Sequence, residues 1–210
     1  MEPVLGQPIP CFKALITIHK VMIAGPAVIL GECSLEKVFL ENCARLSSTG
    51  GGYGNLIRSY VRFLTLKLDF HSLHQQFAGN FDYEEYLASR GVEDLDQGYQ
   101  LISDLQDLLD RLQDLWRVVL QSLQGCPRPE CRISSLVPVV EESYGIYRFI
   151  TSMLAAMHSL VDSPDPLILL VERYASQFRS LKLFYADCNR IRYLVTLMNI
   201  PKLPDVRKFS

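Results

Sequence analysis

Nothing in this chain is long and apolar enough to span a bilayer. The longest uncharged apolar run, Val21 to Gly31, is eleven residues and is broken by Gly25-Pro26, whereas a span needs about 20. A basic, then apolar, then small-residue succession is missing at the start, so no signal peptide is read there. Disulfide spacing is missing too. Cys11, Cys33, Cys43 and Cys188 stand singly in apolar or helical stretches. Cys126 and Cys131 share a proline-containing loop, but no second close pair of ligands completes a zinc site. These absences predict a soluble intracellular chain with reduced thiols.

Catalytic signatures are also scarce. The loop Gly50-Gly51-Gly52-Tyr53-Gly54 lacks the Lys-Ser/Thr of a phosphate-binding loop and a preceding strand. No Gly-x-Ser-x-Gly elbow occurs. His71 and His74 are three apart, as helical metal ligands can be, but nothing supplies a third and fourth ligand. His19 and His158 lie in apolar helices and read as core or boundary histidines. Glu84-Glu85 and Glu141-Glu142 are sequence neighbours, which do not face each other on a helix, and read as solvated surface. No catalytic residue, metal or cofactor is expected, and the chain is read as a non-enzyme.

What is present is helix. Apolar residues make up 49% of the 210 residues and charged residues 21%, a globular balance. The net charge of −2 conceals a pattern: residues 1–67 carry seven Lys/Arg and four Asp/Glu, residues 68–131 four and twelve, and residues 132–210 ten and seven. The acidic middle argues against nucleic acid as a partner. Leu101, Leu105, Leu108, Leu112, Leu115, Val119 and Leu123 step by four and three through a helix over Asp96–Gln124. Asp94 and Gln97 precede it as a capping box, and Gly125 and Pro127 end it. Further helices are expected over Pro10–Met22, over Ser34–Leu46 with Ser34 as N-cap, over Asn55–Phe77 and over Ile133–Val161. A last helix starts at Asp165-Pro166 and runs to about Asn199. Ser47–Gly54 and residues 78–93 read as connectors. With no domain boundary in view, residues 1–210 form a single all-α domain in which antiparallel helices stack as a bundle or short solenoid.

Several segments resemble one family. The run Leu56–His71 (LIRSYVRFLTLKLDFH) is similar to the long helix of the ANTH domain, and most similar to that of the endocytic actin–clathrin adaptors of the huntingtin-interacting-protein and fungal Sla/End type. Phe81–Tyr86 (FDYEEY), Glu142–Leu154 (ESYGIYRFITSML), Phe184–Cys188 (FYADC) and Ile200–Pro204 (IPKLP) add to the likeness. Phe12–Lys20 (FKALITIHK) resembles the family's third helix. The resemblance implies an ENTH/ANTH-like superhelical stack that binds phosphatidylinositol 4,5-bisphosphate on the anionic inner leaflet of the plasma membrane. It implies an epsin-type ENTH domain as partner, and clathrin and actin as partners only through regions absent from this chain. It places the protein in the cytoplasm, peripheral at cortical actin endocytic sites.

The family's lipid motif, Lys-x-Lys/Arg followed by His or Tyr, lies on the first two helices. This chain opens just before the third, so the domain is expected to be truncated at its N-terminus. Arg190-Ile191-Arg192-Tyr193 imitates part of the motif in the wrong helix, and is read as a solvated face beside a packed Tyr193. Lys20 and Lys37, with Lys13 further off, are the lysines nearest the missing turn and are the candidate headgroup ligands. Each cation near an anionic surface contributes about 1 kcal/mol, so weak lipid binding is expected. An exposed apolar patch on the Phe12–Lys20 helix is expected as well. The alternative reading is a lipid-independent helical scaffold that holds a partner helix in a groove.

Overall fold

The structure, a computed structural model, describes residues 7–26, 28–46, 52–82, 84, 88, 92, 94–161 and 165–204. Its order is α1 (Pro8–Ala24), α2 (Val28–Leu35), α3 (Lys37–Leu46), α4 (Gly54–Leu73), α5 (Leu95–Leu123), α6 (Glu130–Ser134), α7 (Leu136–Leu160), a 3₁₀ turn (Asp165–Leu167), α8 (Ile168–Arg190) and α9 (Arg192–Leu197). The described residues contain no strand and no helix able to cross a membrane.

The helices stack as a superhelix around α4. One side of α4 takes α1, α2 and α3, and another takes α5; α5 in turn carries α7 and α8. Because neighbours surround α4, most of its circumference is buried, including Leu56, Ile57, Tyr60, Val61, Phe63, Leu64 and Leu68. A narrow strip through Asn55, Arg58, Ser59, Arg62 and Asp69 meets solvent, as do Ser72 and Leu73 at the helix end. The predicted stripe of α5 is the buried one from Leu101 to Val119. Its indole Trp116 stacks on Phe184 of α8 at 4.3 Å between centroids and 4° between planes.

Local signals set most boundaries. Asp94 Oδ1 accepts the Asp96 and Gln97 amides at 3.0 and 3.1 Å, satisfying two of the amide donors a helix start leaves open. Gly125, with φ of 67°, takes the left-handed conformation that ends α5. Gly25 and Pro26 close α1.

Four expectations need correction. Ser34 is not an N-cap: it lies in the last turn of α2, and the helix breaks at Glu36 before α3 restarts at Lys37. Ile133–Val161 is not one helix, because Ser135 interrupts it between α6 and α7. Ile191, in an extended conformation (φ −86°, ψ 95°), cuts the last helix at Arg190. Tyr193 is 40% exposed, not packed. The expected loop over Ser47–Gly54 is described only from Gly52, and Tyr83, Glu85 and Tyr86 of the acidic connector lie outside the described residues.

Candidate functional site

The surface that sequence reading favours is held from beneath by a buried ionic cluster. Three fully buried side chains meet there: His19 of α1, Lys67 of α4 and Glu142 of α7. Glu142 Oε1 accepts from Lys67 Nζ at 2.9 Å, and Oε2 pairs with His19 Nε2 at 2.6 Å. Lys67 also donates to the Gly79 carbonyl at 2.6 Å, and His19 Nδ1 lies 3.0 Å from the Tyr60 hydroxyl. One carboxylate therefore ties α1, α4, α7 and the connector after α4 together.

Burial opposes charge on all of these groups, and their partners decide the outcome. Burial pushes Glu142 up, but the Lys67 charge and His19 outweigh it, so its carboxyl titrates below the usual range. Burial lowers Lys67 and His19 despite the carboxylate between them. His71 is 5% exposed, and both of its ring nitrogens lack partners. Burial, with the nearby Lys67 charge, pushes it down to about 3.

This cluster corrects the reading of Glu142 as solvated surface. Glu142 stands three residues after Val139 and four before Ile146, on the buried stripe of α7. The two close histidines part company as well. His74 Nε2 pairs with Asp104 at 2.8 Å, while His71 sits against the ring of Phe81 at 5.0 Å.

With α1 fixed, its outer strip is defined. Ile9, Lys13, Thr17, Lys20 and Ala24 are exposed in steps of three and four. Lys13 and Lys20 thus share one face, about 10 Å apart along the axis, and neither has a carboxylate partner among the described residues. Between them the strip is polar, so the expected apolar patch does not run along α1. On α1 the exposed large apolar side chains are Ile9 and Val21, near its two ends, and others lie on α2 and α3 at Val28, Leu35, Val38 and Leu46.

Lys37 stands apart. Its ammonium donates to Asp69 Oδ1 at 2.6 Å, and both side chains are partly exposed. Such a pair is worth about 0–1 kcal/mol, so a phosphate can compete for it. Beside it, α1, α2 and α3 enclose a groove of about 350 Å³ walled by Ile18, Met22, Phe39 and Leu40, with Glu32 and Glu36 on its lining. Those carboxylates, with Asp69, make this corner a poor phosphate cradle unless another cationic element joins it.

The chain matches the ANTH domain family over residues 6–207. It is 44% identical over 207 residues to Endocytosis protein end4 of Schizosaccharomyces pombe, an alignment covering 97% of this chain and 19% of that protein. The chain thus spans about a fifth of the length of that relative. A solved chain described as the ENTH domain from epsin-2 in complex with phosphatidylinositol 4,5-bisphosphate superimposes with a TM-score of 0.93 at 43% identity, over 97% of this chain and 80% of that one. A chain from the structure of the endocytic adaptor complex AENTH superimposes with a TM-score of 0.81 at 45% identity, over 92% and 76%.

Proposed function

Because the chain belongs to the ANTH domain family, we propose that it is the phosphoinositide-binding, membrane-peripheral module of an adaptor in clathrin-mediated endocytosis. Likeness to an endocytosis protein along nearly the whole of this chain carries the reading. The close superposition on a chain described with the bisphosphate lipid supports the ligand. The likeness to a chain of the AENTH complex supports an epsin-type ENTH domain as partner. Contacts to clathrin and actin would come from parts of the whole protein outside these residues, and the module's role is binding rather than catalysis.

In this chain, Lys13 and Lys20 are the free cations of the α1 strip, and Lys37 joins them once a phosphate displaces Asp69. At about 1 kcal/mol for each free lysine, Lys13 and Lys20 together give about 2 kcal/mol, or roughly 30-fold over a neutral membrane. That is weak, salt-sensitive attachment. Flotation on phosphatidylcholine vesicles with and without the bisphosphate lipid, at low and high salt, tests it on wild type and on K13Q/K20Q. Lipid-dependent, salt-sensitive flotation of the wild type, reduced in K13Q/K20Q, is expected. If neither floats, the lipid-independent scaffold replaces this reading, with the α1–α3 groove as its docking place.

A further inference from the structure

Four arginines line one groove between α4 and α5. Arg58 and Arg62 come from the narrow exposed strip of α4, and Arg111 and Arg117 from α5; the space between them is about 440 Å³. Asp114 is the carboxylate among the lining residues. The acidity of α5 is used elsewhere. Asp104 pairs with His74, and Asp107 and Asp110 both pair with Arg173 of α8. Asp114 meets Arg111 only at 3.4 Å.

The other arginines have neutral partners or none. Arg58 donates to the amide oxygen of Asn55. Arg117 donates at 2.9 and 3.2 Å to the Gln113 amide, turned so that its oxygen faces the guanidinium. Arg62 has no carboxylate partner among the described residues. Four guanidinium groups against one carboxylate leave a formal charge of +3 in a groove of a chain whose net charge is −2. Like charges gathered between two helices repel, and an anion relieves that repulsion. Guanidinium forks match phosphate oxygens in bidentate pairs. The volume is that of a small-molecule site rather than of a single ion, and the Ser59 hydroxyl adds a donor to the lining.

We infer that the α4–α5 groove is an anion site for a ligand carrying two or more phosphate groups, separate from the lysine strip of α1. None of its lining residues comes from α1, so the inference stands independently of where the membrane meets that strip. A soluble inositol polyphosphate and a phosphoinositide headgroup share the chemistry, and two arms of one experiment separate them.

The first arm is calorimetric titration of the full chain with inositol 1,4,5-trisphosphate, for wild type and for R58Q/R117Q, with circular dichroism confirming the fold. Saturable binding near one to one is expected, weakened about tenfold or more in the variant, since two charge-assisted contacts are lost. The pair R62Q/R111Q must act in the same direction, which guards against one variant failing to fold. The second arm is vesicle flotation with the same proteins. Reduced flotation of both variants supports the inference with the lipid headgroup as ligand. Unchanged flotation with weakened trisphosphate binding supports it with the soluble ester as ligand. Absence of trisphosphate binding by the wild type, or affinity equal to wild type in both folded variants, overturns it, whatever the flotation of K13Q/K20Q shows.

Discussion

Replacing Glu142 with glutamine keeps the shape of the side chain and removes its charge. In the native cluster both carboxylate oxygens accept, one from Lys67 at 2.9 Å and one from His19 at 2.6 Å. Glutamine offers one oxygen and one amide group: the oxygen can still accept from Lys67 and the amide can donate to the His19 ring, but the negative charge is gone. The Lys67 ammonium is then left fully buried among neutral acceptors, the Gly79 carbonyl and the glutamine oxygen, with no opposite charge to compensate it. Breaking a buried pair in this way costs about 3–5 kcal/mol. An independent ceiling agrees. Lysine can escape by losing its proton, and from its ordinary value of 10.5 that costs about 5 kcal/mol at pH 7, as 3.5 pH steps of about 1.36 kcal/mol each. The ceiling falls with pH. If folded E142Q holds Lys67 neutral, its unfolded state binds the extra proton, so its stability rises with pH by up to about 1.36 kcal/mol per unit. Urea unfolding followed by far-ultraviolet circular dichroism at pH 7 and pH 9 measures both effects. E142Q should lose about 3–5 kcal/mol at pH 7 and recover part of it at pH 9. Adding K67M should restore at least about 1 kcal/mol and remove the recovery, a coupling that a double-mutant cycle isolates. An E142Q protein within about 1 kcal/mol of wild type at pH 7, or one that K67M does not help, refutes the reasoning.

Two more perturbations probe the same region. His71 titrates near 3 in the folded chain against an ordinary 6.5, so between those values the unfolded state binds more protons and stability is lost as pH falls through 6.5. From pH 7 to pH 5 this amounts to about 2 kcal/mol. His71→Phe should flatten the pH dependence of the urea midpoint by that amount, and an unaltered slope would sink the assignment. Gly79→Ala would place a methyl group 1.9 Å from the Met22 carbonyl oxygen, forcing apart backbone that Lys67 also holds. A loss of about 2 kcal/mol, read as a fall in Tm of about 4–8 °C, is expected by calorimetry, and an unshifted Tm would show that the contact relaxes freely.

Helix identity was legible wherever one face is apolar and a terminus carries a cap. The α5 stripe and the Asp94 cap could both be read because period and capping are local. The breaks at Glu36 and Ile191 could not, since no glycine or proline marks them; the break at Ser135 does carry a mark, Pro138 in the first turn of α7, which has no N–H to continue the ladder from Ser134. The buried cluster was hidden for a related reason. Lys67 stands between the apolar Leu64 and Leu68, and Glu142 three residues after Val139, so each interrupts an apolar face by one charge. A single interruption is read as solvent exposure unless a partner of opposite sign is known to lie opposite. Here the partners are 75 residues apart, beyond the reach of any local pattern. The candidate lysines show the converse. Lys13 and Lys20, seven residues apart on one helix, could be placed on a single face from sequence, whereas the pairing of Lys37 with Asp69 joins two helices.

The same helix bears both kinds of charge, and that division explains why the stack can present cations at all. On α4, Lys67 faces inward and is neutralised by Glu142, while Arg58 and Arg62 lie on the outer strip with no carboxylate of α4 or α5 spent on them. On α5, three aspartates are drawn to His74 and Arg173, which leaves Asp114 as the carboxylate that lines the groove against α4. A chain with an acidic middle can therefore expose a cationic groove along a helix of that middle, where arginines of α4 from the basic first segment meet those of α5, because packing sends most carboxylates of α5 to other partners. Net charge by segment locates neither the groove nor the lysine strip. What locates them is which charges the helix contacts have already used.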